Sequence, residues 1–217
     1  MGQSGGSTRS KIRAPQPSGD PNWLERDAAL TTKEFFDLVL PSVGLRCVVH
    51  IHDGRNDHTF HSDNALAAAK AVELDATGNG DVYFGCATFC EPGSRKGINA
   101  QAAQSIWLDL DTAEFKDDAP YINRNAALSE LERFCFELAL PNPVVVSSGY
   151  GLHVYWSMDA SLTPDEWRET AYALKRACGN WGLMADNSRT TDIASILRVP
   201  GTHNRKNPAA PQPVMVL

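Results

Sequence analysis

Two aspartates one residue apart, Asp109 and Asp111, stand in the apolar run "SIWLDLDTAEF" at residues 105–115. On a strand, residues i and i+2 point to the same face. Both carboxylates therefore project together, while Trp107, Leu108 and Leu110 dock the strand. Two like charges this close repel, and each raises the pKa of the other. A divalent cation removes that penalty. Mg²⁺ and Mn²⁺ take oxygen ligands, often one or two carboxylates plus a substrate phosphate. The chemistry this suggests is metal-assisted phosphoryl or nucleotidyl transfer. Taken alone, the pair fits equally a strand edge with solvated acids.

Two further stretches narrow the choice. In "SSGYGLHVYW", Ser148 precedes Gly149 and Gly151, and His153 follows. Glycines allow a tight turn whose amides face an anion, and a nearby imidazole suits a triphosphate. An ordinary hairpin with a structural histidine is the simpler alternative. In "DNSRTTDIASILRVPGTHNRKN" two more acids, Asp186 and Asp192, accompany the cations Arg189, Arg198, Arg205 and Lys206. A third carboxylate would complete a metal site, and the cations could hold phosphates of a nucleotide or a nucleic-acid backbone.

The elements that must position these residues are legible in outline. "WLERDAALTTKEFFDLVL" predicts one or two helices over 23–40, the second capped by Thr31 or Thr32, with Glu34 in its first turn. "LRCVVHIH" predicts a strand, "GRNDHTFHSDN" a polar loop, "NALAAAKAVEL" a helix and "VYFGCATF" a strand. "CEPGSRKGINAQAAQ" reads as a loop leading into the strand of the two aspartates. "NRNAALSELERFCFELAL" is an amphipathic helix by the spacing of Leu128, Leu131, Phe134, Cys135 and Leu138. "PVVVSSGYGLHVYWSM" predicts a β-hairpin. "TPDEWRETAYALKRACGNWG" predicts a helix with Thr163 as cap, Pro164 at its first position and Glu166 closing a capping box. A short helix or turn, a basic loop and a last strand end the chain. Hairpins outnumber βαβ units, so the fold class expected is α+β with a largely antiparallel sheet and helices on one side.

The 217 residues, 42% hydrophobic, suffice for one substantial core, and no repeat or linker divides it. Residues 1–21, rich in Gly, Ser and Pro, read as a disordered or loosely docked arm, leaving 22–217 as one catalytic domain. A net charge of −6 argues against a non-specific nucleic-acid coat, though not against an enzyme with a local basic groove. The five cysteines are odd in number and irregularly spaced, which argues against a disulfide framework and for a reducing, intracellular setting. Cys86 and Cys90 lack a partner pair at metal-ligand spacing, so no zinc is expected. No stretch approaches the ~20 apolar residues of a membrane helix.

In order and content the three stretches resemble the archaeo-eukaryotic primase superfamily, including the primase-polymerases of phages and plasmids. "WLDLD" is similar to that family's first motif, "SSGYGLH" to its second, and "ILRVPGTHNRK" to the third segment of phage-type members. "RKGINAQAAQ" also looks like the loop before their first motif. The resemblance covers roughly residues 83–216. It implies an RRM-like antiparallel sheet carrying the motifs, packed with a smaller α/β module. It implies template-directed nucleotidyl transfer with two Mg²⁺ or Mn²⁺ ions, on a single-stranded DNA template with NTPs or dNTPs. Asp109 and Asp111 would be metal ligands, with Asp186 the third and Asp192 the runner-up. His153 would be catalytic. Ser148, Gly149, Gly151, His153, Arg198, His203, Asn204 and Lys206 would bind the nucleotide, with Arg198 and His153 neutralising developing charge. Arg95, Lys96 and Asn99 would touch nucleotide or template. The resemblance further suggests a domain excised from a longer protein with a helicase region, encoded by a phage or prophage and working in the bacterial cytoplasm.

Two rival readings compete. His50 and His52 in "VVHIHD" form a His-hydrophobic-His pattern, and Tyr172 precedes Lys175 by three residues on a helix. Rolling-circle endonucleases use such features, the tyrosine attacking DNA covalently. That reading leaves the second and third stretches unexplained. An inactive single-strand-binding module would leave the two aspartates without a role.

Overall fold

The computed structural model describes residues 30–114 and 118–217. The arm at 1–21 and the first part of the expected 23–40 helix lie outside the described residues. The chain runs α1 (Thr32–Val39), β1 (Arg46–His52), β2 (Arg55–His61), α2 (Asn64–Ala76), β3 (Asp81–Gly85), β4 (Thr88–Phe89) and β5 (Ala100–Asp111). It continues with α3 (Arg124–Glu137), β6 (Val144–Ser147), β7 (Gly151–Leu162), α4 (Pro164–Trp181), α5 (Asn187–Thr191), β8 (Ile196–Arg198), β9 (His203–Asn204), β10 (Gln212–Pro213) and β11 (Met215–Val216).

Local chemistry accounts for the boundaries. Thr31 caps α1 and Thr163 caps α4, each in a reciprocal box with Glu34 or Glu166. Asp63 and Asn123 cap α2 and α3. Gly182, at φ +73°, ends α4 in the left-handed conformation.

Two antiparallel sheets form. The first has the order β2-β1-β3-β8 and, with α1 and α2, makes the smaller module. The second has the order β11-β6-β7-β5-β4 and carries the carboxylate and glycine-turn motifs. An isolated bridge between Leu45 and Phe89 joins the two, and β9 with β10 makes a separate ribbon. Phe35 of α1 is fully buried and meets Phe84 of β3 edge-on at 5.6 Å and Tyr155 of β7 edge-on at 5.3 Å. One helix residue thus ties both sheets into a common core. Each aromatic pair adds ~0.5–1.5 kcal/mol beyond area burial.

Three expectations are corrected. Residues 55–61 form β2, not a polar loop. Asp53 and Gly54 both take positive φ (47° and 73°), the geometry of a tight hairpin turn, and β2 pairs with β1 from Arg46–His61 to His52–Arg55. The strand of the two aspartates begins at Ala100, inside the segment read as a loop. The final strand is divided into short pieces rather than one.

Candidate active site

In the antiparallel β5–β7 pair, Asp109 lies opposite His153 and Asp111 opposite Gly151. Opposed residues share a face, so the two acids and the imidazole emerge together. Trp107 shares this face, whereas Leu108 and Leu110 dock the other. His153 Nε2 is 3.8 Å from Asp109 Oδ1.

The glycine turn is shaped by contact. A Cβ on Gly151 would come within 2.7 Å of the Leu110 carbonyl, so β7 can approach β5 this closely only with glycine there. Gly149 takes φ +97°, and a Cβ there would meet Asn204 Cβ at 2.9 Å. Asn204 Nδ2 donates to the Ser148 carbonyl at 2.7 Å, latching the β9–β10 ribbon over the turn. Ser148 N–H is used within the hairpin, donating to the Gly151 carbonyl at 2.9 Å. Thr112 Oγ1 donates to the Tyr150 carbonyl.

These groups line a cleft of about 250 Å³ between the sheets. Its lining includes Asp109, Asp111, Thr112, Ser148, Tyr150, Gly151, His153, Arg189, Arg198, Asn204 and Lys206, with Ile51, Tyr83, Ile196 and Leu197 from the first sheet. Arg198 is buried, donates from NH2 to Asp81 Oδ2 at 2.9 Å and lies 4.7 Å from the centre of the Tyr83 ring. Its NH1 is 2.8 Å from Asp81 Oδ1 but lacks hydrogen-bond alignment.

The electrostatics follow from burial. Desolvation first, then the charges of Asp111 and Asp186, push the Asp109 carboxyl up to about 7, partly offset by Arg189 and Lys206. Burial, with Arg198, Arg189 and Lys206 nearby, lowers the His153 pKa to about 3. His153 is therefore a neutral ring at physiological pH. Its Nδ1 is buried and bonded to no described residue.

Asp186 caps α5, its Oδ1 accepting from Ser188 N–H at 2.8 Å, Ser188 Oγ at 2.6 Å and Arg189 N–H at 3.3 Å. Burial opposes ionisation of Asp186, but those bonds prevail and its pKa falls below the ordinary carboxylate value. Its main-chain N–H donates to the Asp109 carbonyl at 2.8 Å, placing it beside β5 although its side chain is not part of the cleft lining. Asp192 is exposed at the far end of α5 and accepts from Ala194 N–H. Among the described residues no three His, Cys, Asp or Glu side chains are gathered as a metal-holding group. The donor set nevertheless fits a hard divalent cation, because Asp109 and Asp111 are oxygen ligands held on one strand face in mutual repulsion.

Other expected residues lie elsewhere. His203 donates its main-chain N–H to Asp75 Oδ1, and its Nδ1 is 2.9 Å from Asp75 Oδ2, outside the cleft lining. Asn99 Nδ2 donates to the carbonyls of Glu91 and Ser94, fixing the loop that holds Arg95 and Lys96, and none of the three lines the cleft. Gly149 shapes the turn without lining the cleft. Tyr83, Ile51, Thr112 and Tyr150 were not anticipated. No motif marks Tyr83 or Ile51, which reach the site only through the packing of the sheets. His50 is bonded to the Asn79 carbonyl and His52 to Asp53 and Asp57, on the strand face opposite Ile51. Tyr172 stands on α4, which packs on β5 and β7, so the endonuclease features are not brought together. All five cysteines are free thiols, four buried and Cys90 exposed.

No family model matches the chain, and no curated protein matches its sequence. Solved structures do. The archaeo-eukaryotic primase domain of the cyanophage S-2L primase-polymerase superposes with a TM-score of 0.56 at 12% identity, covering 80% of each chain. The catalytic domain of primase Repb′ in complex with initiator DNA gives 0.48 at 16% identity, over 79% of this chain and 74% of that one. The polymerase domain of Mycobacterium tuberculosis Ligase D in complex with DNA gives 0.47 at 19% identity, over 78% and 67%. At such identities the first likeness speaks to architecture: two sheets, the second bearing Asp109 and Asp111 on an interior strand. The fold of this chain is thus similar to that of the cyanophage archaeo-eukaryotic primase domain.

Proposed function

We propose that the chain is a template-directed nucleotidyltransferase, a primase or primase-polymerase acting in DNA replication. The observation that carries this reading is one cleft that holds Asp109, Asp111 and His153 on opposed strands and Arg189, Arg198 and Lys206 around them. Carboxylates beside cations suit a substrate that brings both a metal and phosphates.

Asp109 and Asp111 would hold Mg²⁺ or Mn²⁺, with Asp186 as the third acid. The bound ions would supply Lewis-acid activation of a 3′-hydroxyl and charge neutralisation at the triphosphate. The chain's own residues do the rest. Arg189 and Lys206 bind phosphate oxygens. Arg198, held by Asp81 and Tyr83, presents a fixed guanidinium to them. Ser148 and neutral His153 offer hydrogen bonds from the hairpin, and Leu197 and Ile196 supply an apolar wall. Single-stranded DNA is the template and NTPs or dNTPs the substrates. A helicase region in a longer protein, a phage or prophage origin and work in the bacterial cytoplasm complete the reading.

The test is synthesis on a single-stranded template without primer, with Mn²⁺ and with NTPs and dNTPs supplied separately. Asp109→Ala with Asp111→Ala is expected to abolish incorporation, and Asp186→Asn to abolish it where Asp192→Asn does not. Incorporation that survives the double substitution rules the assignment out.

A further inference from the structure

The indole of Trp107 is fully buried and stacks on Trp167 with ring centroids 4.7 Å apart. Its Nε1–H donates to the main-chain carbonyl of Arg189 at 2.9 Å. The same carbonyl accepts a second bond from Ser195 Oγ at 3.0 Å. Arg189 belongs to α5, a helix of five residues. Helices below ~12–15 residues do not hold themselves in water, so α5 depends on its docking bonds for its place. Its N-cap is docked by Asp186 N–H on the Asp109 carbonyl, and its middle by the two donors on the Arg189 carbonyl.

The exposed Arg189 side chain reaches the cleft. A guanidinium offers five donors in a fork that matches phosphate oxygens, and its value depends on where its main chain is held. Trp107 stands two residues before Asp109 on the same strand face. The strand that presents the carboxylates therefore also sets the cation beside them.

We propose that Trp107 is a positioning residue for nucleotide binding: its indole N–H, together with the Ser195 hydroxyl, fixes the Arg189 main chain so that the guanidinium meets the triphosphate at the carboxylate pair. This rests on the reading of the cleft as a nucleoside triphosphate site.

Trp107→Phe keeps a ring against Trp167 and removes the N–H; Ser195→Ala removes the second donor. Arg189→Ala is expected to raise the KM for nucleoside triphosphate on the order of tenfold, the scale of one lost charge-assisted hydrogen bond. Trp107→Phe is expected to raise it about fivefold with kcat within about twofold, the scale of one neutral hydrogen bond. Because Trp107 acts through Arg189, the double variant should be no worse than Arg189→Ala alone. A purely structural role would instead make the two effects multiply, and that result overturns the proposal. Ser195→Ala repeats the cycle if Trp107→Phe fails to fold. The same cycle is read in the affinity for a fluorescent nucleoside triphosphate. Wild-type protein that binds no nucleotide defeats the reading of the cleft, whereas binding with multiplicative losses defeats only the role of Trp107.

Discussion

Asp109 is held where its charge is unwelcome. Its side chain is about one-fifth exposed, Asp111 and Asp186 repel it, and its carboxyl titrates near 7. Such a group costs stability whenever it ionises without a counter-charge. Asp109→Asn should therefore stabilise the protein in EDTA at pH 8 by on the order of 2 kcal/mol, a rise of roughly 5 °C in melting temperature. The same variant should lose synthesis. An unchanged or lower melting temperature would mean that the repulsion is already relieved within the chain. This tension was readable in the sequence, because strand parity alone puts Asp109 and Asp111 on one face. His203 stands outside the cleft lining for the converse reason. Its neighbours in the motif reach the cleft, but its own ring is taken by Asp75, 128 residues away in the chain, a partner that local pattern cannot reveal. Tyr83 and Ile51 were invisible on the same ground, since they are ordinary strand residues until the second sheet faces them.

At the scale of elements, the hairpin of β6 and β7 decides whether the site exists. Val144 pairs with Tyr155 and Ser147 with Leu152, a register that puts His153 opposite Asp109 on the next strand. The hairpin was legible because glycines interrupt a β-branched and aromatic run. Its closeness to β5 was not, because that depends on the Leu110 carbonyl 2.7 Å from where a Gly151 Cβ would lie. Gly151→Ala must move one strand away from the other. We expect a loss of about 2 kcal/mol in urea unfolding, the usual range for overpacking. Activity should fall further than that stability loss explains, because the shift changes the spacing between Asp111 on β5 and the glycine turn on β7. A variant with normal synthesis would show that the β5–β7 spacing is not demanding. The β2 hairpin gives the opposite lesson. Its Asp-Gly turn is a strong local signal, but the polar "RNDHTFH" masks it, as the outer strand has little apolar alternation to display.

Across the whole molecule, the chain passes between its two sheets three times, at residues 85–88, between β7 and β8, and again after β8, so the cleft is walled by segments far apart in sequence. The last passage is fastened by charge. Arg198 is bound to Asp81, and Arg205 to Asp75 at 2.5 Å, while the Arg205 main-chain N–H donates to Asp81 Oδ1 at 2.7 Å. The "RVPGTHNRK" stretch is thus as much a strap between modules as a phosphate clamp, which explains why only part of it lines the cleft. Burial of Asp75 and Asp81 opposes their ionisation, yet the bonds from Arg205 and His203 to one and from Arg198 to the other hold both pKa values below normal. A depressed carboxylate pKa contributes stability that is complete above the unfolded value, about 4, and is lost as pH falls through the folded value. The contribution of these two carboxylates should therefore be kept down to about pH 4 and lost below it. Asp81→Asn leaves the buried Arg198 unpaired and should cost about 3 kcal/mol at pH 7. Its acid limb should be shallower, because one of the linked protons is gone. Urea midpoints measured from pH 7 to pH 2.5 on both proteins test this, and parallel acid limbs would show that the Asp81–Arg198 pair does not fasten the strap.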